Sequence, residues 1–512
     1  MPSADPWWRS AVFYQIYPRS FSDSDGDGVG DLEGIRRRLD HLEWLGVDAV
    51  WICPFYRSPM TDFGYDVVDY CDVDPLFGTL EDFDRLLAEA HQRGIRVIVD
   101  WVPNHTSDRH PWFVEARSSR DSPRRDWYIW VDGDPATLPN NWMAAFGGDA
   151  WTWDGATGQW YLHLFLPTQP DLNWRNREVA AAMHDTLRFW IDRGVDGFRI
   201  DVVQGLAKDL SFPDDPPDQV LPHAAVNDCG DTHEVLRGLR GLAESYSPAP
   251  LLLGEVYLLS TKIVAGYVGA GDELHLAFDF TSLYAPWDAG AWRRCIELVE
   301  TEFGARAAWP TWTLSNHDNP RHRTRYGGSE RRARAAAVLL LTLRGTPFLY
   351  YGEELGLEDA VVPFGREVDP GGRDGCRAPL PWDGSPGHSW AGAEPWLPWP
   401  PEPETRNVAD LRATESSILH LYRRILAARR ASPALGVGSW RGVEAPAGVL
   451  AYEREKGGDR RLVLVNFTGE ATDISVGGRW QVEVDSDGLG EGEGYPGRLA
   501  GDAAVILLPS VD

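Results

Sequence analysis

The sequence predicts an α/β chain: a (β/α)8 TIM barrel with a small domain inserted after strand three and an antiparallel β-domain at the C-terminal end. Three observations carry this. Short β-branched or aromatic runs alternate with helical apolar periods over most of the 512 residues. One stretch rich in Trp, Pro, Gly and Asp, 104–173, interrupts the rhythm. Beyond residue 433 the pattern turns to alternating, strand-like segments.

The first strand is expected at Val12–Tyr17. A helix should cover Leu32–Leu45, where Leu32, Ile35, Leu39, Leu42 and Leu45 recur at three- and four-residue steps. Asp48–Ile52 reads as a buried strand, Leu80–Arg93 as a helix stopped by Gly94, and Ile95–Val102 as the third strand. Continuous apolar runs at Gly197–Val203, Leu251–Val256, Leu274–Phe280, Thr311–Leu314 and Pro347–Tyr351 complete eight strands. Strands covered on both faces lose alternation in this way. The expected division is 1–103 with 174–433 as barrel, 104–173 as inserted domain and 434–512 as β-domain. The β-domain strands should lie at Val449–Glu453, Leu462–Asn466, Trp480–Asp485 and Ala503–Leu508. The long Pro/Gly/Trp-rich loop 355–412 is expected to serve function.

Composition excludes several function classes. With 49 basic against 77 acidic residues, the net charge of −28 opposes nucleic acid or an anionic membrane as partner. Lysine occurs only at Lys208, Lys262 and Lys456, which leaves little room for Schiff-base or P-loop chemistry. The 24 tryptophans suit binding faces as well as cores, with Trp142, Trp151, Trp153 and Trp382 as candidates near a ligand path. Five scattered cysteines without a CxxC pair signal neither a disulfide framework nor zinc. The start carries no signal-peptide pattern, and the longest apolar run, Ala335–Leu343, is too short to span a membrane. A cytoplasmic address is expected.

Barrel enzymes keep their sites at the C-terminal strand ends. Here strand three ends Asp100-Trp-Val-Pro-Asn-His105, strand four ends Arg199-Ile200-Asp201, strand five Gly254-Glu255, and strand seven His317-Asp318. An isolated acid at such a place reads as a structural ion pair; the same chemistry at four strand ends reads as a site. Several acids and one arginine, with no redox motif, suit glycoside hydrolysis, which needs one protonated and one ionised carboxyl. Arg199 lies two residues before Asp201 and therefore shares its face of the strand.

These four segments resemble the ordered motifs of the α-amylase superfamily of retaining glycosidases, glycoside hydrolase family 13, over nearly the whole chain. Gln169–Asn173 is similar to the short motif of the branch holding oligo-1,6-glucosidases and α-glucosidases. The resemblance implies that Asp201 is the nucleophile, Glu255 the acid/base and Asp318 the transition-state-binding acid. It implies hydroxyl-binding roles for His105 and His317, and a nucleophile partner in Arg199. Tyr65 and Asp66 would be platform and acid of the −1 subsite, with Arg377 paired to Asp66 to close the pocket floor. Phe146 and Phe165 would border the +1 site.

A second signal is the run of acids Asp23, Asp25, Asp27 and Asp31, at alternate positions with glycines between them. It resembles the first half of a calcium-hand loop, but the twelfth position is Gly34 instead of glutamate. The family branch uses this loop for a structural Ca²⁺, or Mg²⁺, which implies Asp23, Asp25, Asp27, Asp31 and the Val29 carbonyl as ligands. Val202, following the nucleophile, resembles enzymes preferring α-1,6 bonds. Asn319 and the length of segment 204–232 depart from the branch on the side of the acceptor sugar.

The expectation is a retaining, exo-acting α-glucosidase on short α-1,6- or α-1,4-linked glucosides, with a small-molecule substrate and no organic cofactor. The alternative is a transglucosylase or sucrose/trehalose isomerase on the same scaffold. A catalytically dead scaffold would lack part of the acid set.

Overall fold

Eight parallel strands form the centre of the computed structural model, which describes residues 5–216, 228–392 and 394–510. They are β1 (Phe13–Ile16), β2 (Ala49–Ile52), β3 (Arg96–Trp101), β4 (Gly197–Ile200), β5 (Leu251–Glu255), β6 (Leu276–Phe278), β7 (Thr311–Thr313) and β8 (Thr346–Tyr350). Their hydrogen-bonded order is β6-β5-β4-β3-β2-β1-β8-β7, the cyclic order of a barrel. The Thr311 hydroxyl donates to the Ala277 carbonyl at 2.9 Å, tying β7 to β6 across the remaining seam. The β4, β5 and β8 residues are all buried, which is why those runs read as continuously apolar.

The helices stack outside. Leu80–Gln92 begins in a reciprocal Thr79–Asp82 capping box, and its four buried residues, Phe83, Leu86, Leu87 and Ala90, fall on one face. Gly94, at φ +75°, supplies the left-handed turn into β3. The helix expected over Leu32–Leu45 is two helices, Leu32–Arg37 and Leu39–Leu45. Arg38 between them leaves helical geometry, and its guanidinium lies 4.2 Å from the Trp382 ring centre.

Between β3 and β4 lie a helix, Pro111–Ser118, and a three-stranded antiparallel sheet of Trp130–Asp132, Gln159–Leu162 and Trp151–Asp154. Trp142, Trp151 and Trp160 pack in its own small core. Beyond Pro433–Val437 the strands Ser439–Val443, Val449–Lys456, Asp459–Asn466, Ala503–Pro509 and Trp480–Asp485 pair antiparallel in that order. Among the described residues no helix is long and apolar enough to cross a membrane. Of segment 204–232, residues 217–227 lie outside the described residues.

Candidate active site

Parallel strands that end together bring their next residues to one mouth, and a cavity of about 570 Å³ opens there. Asp201, Glu255, Asp318, Tyr65, His105 and His317 line it, with Phe146 and Phe165 from the inserted segment on its rim. Arg199, wholly buried on β4, organises the acids. Its Nη1 donates to Asp100 at 2.8 Å and to Asp201 at 2.5 Å, and its Nη2 meets Glu255 Oε2 at 2.8 Å. Asp201 also holds its place through its amide, which donates to the Trp101 carbonyl at 2.9 Å. The Val202 amide donates to Glu255 Oε2 at 3.1 Å, from a left-handed backbone (φ +45°) that a β-branched residue rarely adopts.

Opposite stands the Tyr65–His317 pair. Tyr65 OH reaches His317 Nε2 at 2.7 Å and Asp100 Oδ2 at 3.1 Å, and Gln15 Nε2 contacts His317 Nδ1 at 2.8 Å. His317 Nε2 lies 3.2 Å from Asp318. Asp318 accepts from Arg373 Nη1 at 2.9 Å and Arg377 Nη2 at 3.3 Å.

Two residues expected on the pocket floor are corrected. Asp66 is fully buried away from the cavity: it accepts from the Ser58 hydroxyl (2.7 Å), the Thr61 amide (2.9 Å) and the Asp62 amide (3.2 Å). The acid that faces the pocket is Asp62, and its arginine is Arg373, at 2.7 Å. The physical reason is the turn. Phe63 (φ +49°) and Gly64 (φ +111°) are left-handed, so the chain reverses and aims Asp62 and Tyr65 inward while Asp66 folds back on the turn amides. Arg377, with no exposure, does not pair with Asp66; it donates to the His317 carbonyl (2.7 Å) and to Asp369 (3.1 Å) behind Asp318. Gln169 also stands behind the surface, donating to Asp62 at 3.0 Å.

The four tryptophans proposed near the ligand path belong to packing. Trp142 donates to the Pro213 carbonyl, Trp151 to Asn140 and Trp382 to the Phe21 carbonyl, while Trp153 meets Trp160 edge-on. None of them lines the cavity.

Burial and charge set the protonation states. Burial raises Asp201 well above the usual carboxylate range; Arg199 opposes it, and Glu255 and Asp100 add to it. Burial likewise pushes Asp100 up to about 6 against the pull of Arg199. Asp318 goes the other way: burial would raise it, but His317, Arg373 and Arg377 hold it well below its ordinary value. Burial lowers His105 to about 4 and His317 to about 3, so both imidazoles are neutral near pH 7.

In the acidic loop, Asp23, Asp25 and Asp27 each offer an oxygen within 4.8 Å of the others. Asp23 Oδ1 accepts from the Asp25 and Gly26 amides and Oδ2 from the Gly28 amide, which winds the loop around them. Asp31 stands outside this group. Its carboxylate accepts from the Ser24 amide at 2.8 Å and caps the helix at Leu32 through the Gly34 amide at 2.6 Å.

The family model for the α-amylase catalytic domain matches residues 15–438. The chain belongs to this family. A probable α-glucosidase of Rhizobium meliloti (strain 1021) is 44% identical over 91% of the chain and 90% of the relative. An oligo-1,6-glucosidase of Parageobacillus thermoglucosidasius is 35% identical, covering 90% of each. Among solved structures, the α-glucosyl transfer enzyme XgtA aligns with TM-score 0.92 at 41% identity, over 99% of this chain and all of that one. A trehalulose synthase MutB variant aligns with TM-score 0.92 at 36% identity, over 98% of this chain and all of that one. The chain is a glycoside hydrolase of the α-glucosidase and oligo-1,6-glucosidase class.

Asp62, Arg373, Asp100 and Asp369 were not singled out among the site residues. For the first two a signal existed: an acid on each side of Gly64-Tyr65, and arginines four apart at Arg373 and Arg377. Nothing in the spacing said which of each pair faced inward.

Proposed function

We propose that this enzyme removes single glucose units, with retention, from the non-reducing end of short α-glucosides. One observation supports retention: Asp201 and Glu255 bond the same Arg199 guanidinium, which holds the two carboxyls close together. Retaining pairs stand about 5–5.5 Å apart, inverting pairs about 6.5–9.5 Å. Asp201 attacks the anomeric carbon while Glu255 gives its proton to the departing oxygen; Glu255 then takes a proton from the incoming water, which cleaves the glucosyl ester. Asp318, held as carboxylate, stabilises the positive charge developing on the ring.

The Asp62–Arg373–Asp318 cluster supports exo action, because it walls the inner end with fixed charges suited to the hydroxyls of one terminal glucose. Val202, which lines the cavity beside the nucleophile, supports a preference for α-1,6 bonds with α-1,4 accepted. Partial transfer to sugar acceptors is the second reading, favoured by the rim of Phe146, Phe165 and Tyr257, which offers a second sugar apolar faces. Product analysis on maltose, isomaltose, sucrose and trehalose tests all of this: glucose should appear first as the α-anomer, and oligosaccharides blocked at the non-reducing end should resist. Release of the β-anomer would refute retention.

Asp23, Asp25 and Asp27 fit a hard divalent cation, since three close carboxylates repel without one. Such an ion, Ca²⁺ or Mg²⁺, would brace the loop before the first barrel helix and take no part in the chemistry. The five unpaired cysteines support a cytoplasmic address.

A further inference from the structure

Lys208, which follows the nucleophile strand, is the one buried lysine and does not touch the cavity. Its ammonium donates to Asn104 Oδ1 at 2.6 Å and pairs with Asp171 at 2.9 Å. Asn104 in turn presents its amide nitrogen to His105 Nδ1 at 3.1 Å and to Asp171 Oδ2 at 3.2 Å. His105 Nε2 lies 3.1 Å from the Tyr65 carbonyl, at the pocket wall.

The contacts of Asn104 and of the Tyr65 carbonyl agree on one assignment of hydrogens. An ammonium has donors only, so the Asn104 atom facing it is the oxygen, and the atom facing His105 is the NH₂. A donor aimed at Nδ1 requires a lone pair there. The ring is neutral, because burial holds it near 4, and its one proton therefore sits on Nε2. The Tyr65 carbonyl, an acceptor only, asks for the same tautomer from the other side. Gln169 cannot supply a rival acceptor. Its Oε1 takes the Leu166 amide at 3.0 Å, and its Nε2, 3.2 Å from His105 Nε2, gives its hydrogen to the Asp62 carboxylate at 3.0 Å, so this contact does not set the tautomer.

We propose that Lys208 is a positioning residue that sets the tautomer of His105 through Asn104, so that the imidazole carries its N–H on Nε2, beside the Tyr65 carbonyl, and shares it with a sugar hydroxyl oxygen in the pocket. The hydroxyl's own hydrogen is then directed to an acceptor, and Asp62 is the carboxylate across that corner. With the other tautomer the ring would present a lone pair, and the hydroxyl would face two acceptors with one hydrogen. Lys208 also neutralises Asp171, whose charge would otherwise draw a proton onto His105. The same three side chains join the strand-three motif, the strand-four loop and the inserted segment, so docking of that segment and ring orientation are set together. The role of the hydroxyl rests on the glucosidase reading above; the tautomer does not.

The experiment separates the two. Nitrogen-15 NMR of histidine-labelled enzyme, with the His105 signals assigned by their loss in His105→Gln, reads which ring nitrogen carries the proton. The expected wild-type result is a protonated Nε2 and a bare Nδ1. In Asn104→Asp the facing atom becomes an acceptor, and the proton should appear on Nδ1. Lys208→Met combined with Asp171→Asn, which keeps the site neutral should the single variant fail to fold, frees the Asn104 amide to rotate and should give a mixture. Lys208→Arg keeps the donor and should retain the wild-type pattern. On aryl α-glucosides, Asn104→Asp and the double variant should lose about tenfold or more in kcat/KM, and Lys208→Arg should recover most of it. A wild-type proton on Nδ1, or an unchanged tautomer in both Asn104→Asp and the double variant, overturns the proposal. The expected tautomers with no glucosidase turnover would instead overturn the reading of the substrate.

Discussion

Replacing Arg373 with methionine keeps most of the side-chain volume and removes one guanidinium from a cluster of Asp62, Asp318 and Asp369. Arg373 bonds Asp62 at 2.7 Å, Asp318 at 2.9 Å, and Asp369 at 2.7 and 2.9 Å. Asp318 and Asp369 keep Arg377, at 3.3 and 3.1 Å; Asp62 is left with Gln169 alone. Three acids then face one guanidinium. Hydrogen bonds to charged groups contribute about 1.5–3 kcal/mol each, and stranding a buried charge costs about 3–5 kcal/mol. The Asp318 contact is felt most in the transition state, so a loss of about 3–4 kcal/mol there lowers kcat/KM by about 10²–10³. The sign of the pH effect follows from the same contacts. Arg373 helps hold Asp318 below its ordinary pKa, so without it the carboxyl rises toward or above that value. Asp318 must be ionised to act; the acid limb of the kcat/KM profile therefore moves to higher pH. Steady-state kinetics on an aryl α-glucoside across the acid range, with circular dichroism to confirm folding, measures both effects. A folded variant within threefold of wild type and with an unmoved acid limb would refute the placement of Arg373 on the pocket floor.

Other outcomes are equally open to measurement. Asp201→Ala and Glu255→Gln should each reduce turnover of an aryl α-glucoside by several orders of magnitude with thermal unfolding little changed; full activity in either would sink the assignment of roles. Val202→Thr adds a hydroxyl beside the acceptor sugar and should shift the maltose-to-isomaltose kcat/KM ratio by about 1–3 kcal/mol at most, read by competing the two sugars. Chelation of divalent cations should lower the melting temperature by several degrees, and Asp25→Asn combined with Asp27→Asn should remove that sensitivity. Binding of Ca²⁺ that survives this double change would place the ion elsewhere.

Strand and helix order, the strand-end acids and the carboxylate chemistry were all legible in the linear chain, because each is a local property. A run of apolar residues at period 2 or 3.6 buries itself in one way, and a barrel strand delivers its next residue to the mouth. Asp201, Glu255, Asp318, Arg199, His105 and His317 are sites of that kind: once β3, β4, β5 and β7 are placed, so are they. The two-helix break at Arg38 was not legible, since Trp382, its ring partner, lies 344 residues away in the chain.

The pocket floor was decided only in three dimensions. Asp62 against Asp66, and Arg373 against Arg377, are like residues four apart, and composition cannot rank them. The left-handed turn at Phe63–Gly64 sends one acid to the sugar and the other to its own backbone. The tryptophans went the same way: the indole N–H groups of Trp142, Trp151 and Trp382 found carbonyls and an asparagine in the interior and Trp153 met the Trp160 ring, so packing claimed the rings. Lys208 shows the division most plainly. Its scarcity and position are written in the sequence, but its work depends on Asn104 and Asp171 meeting it from two distant segments, and hydrogen-bond direction exists only where those segments touch.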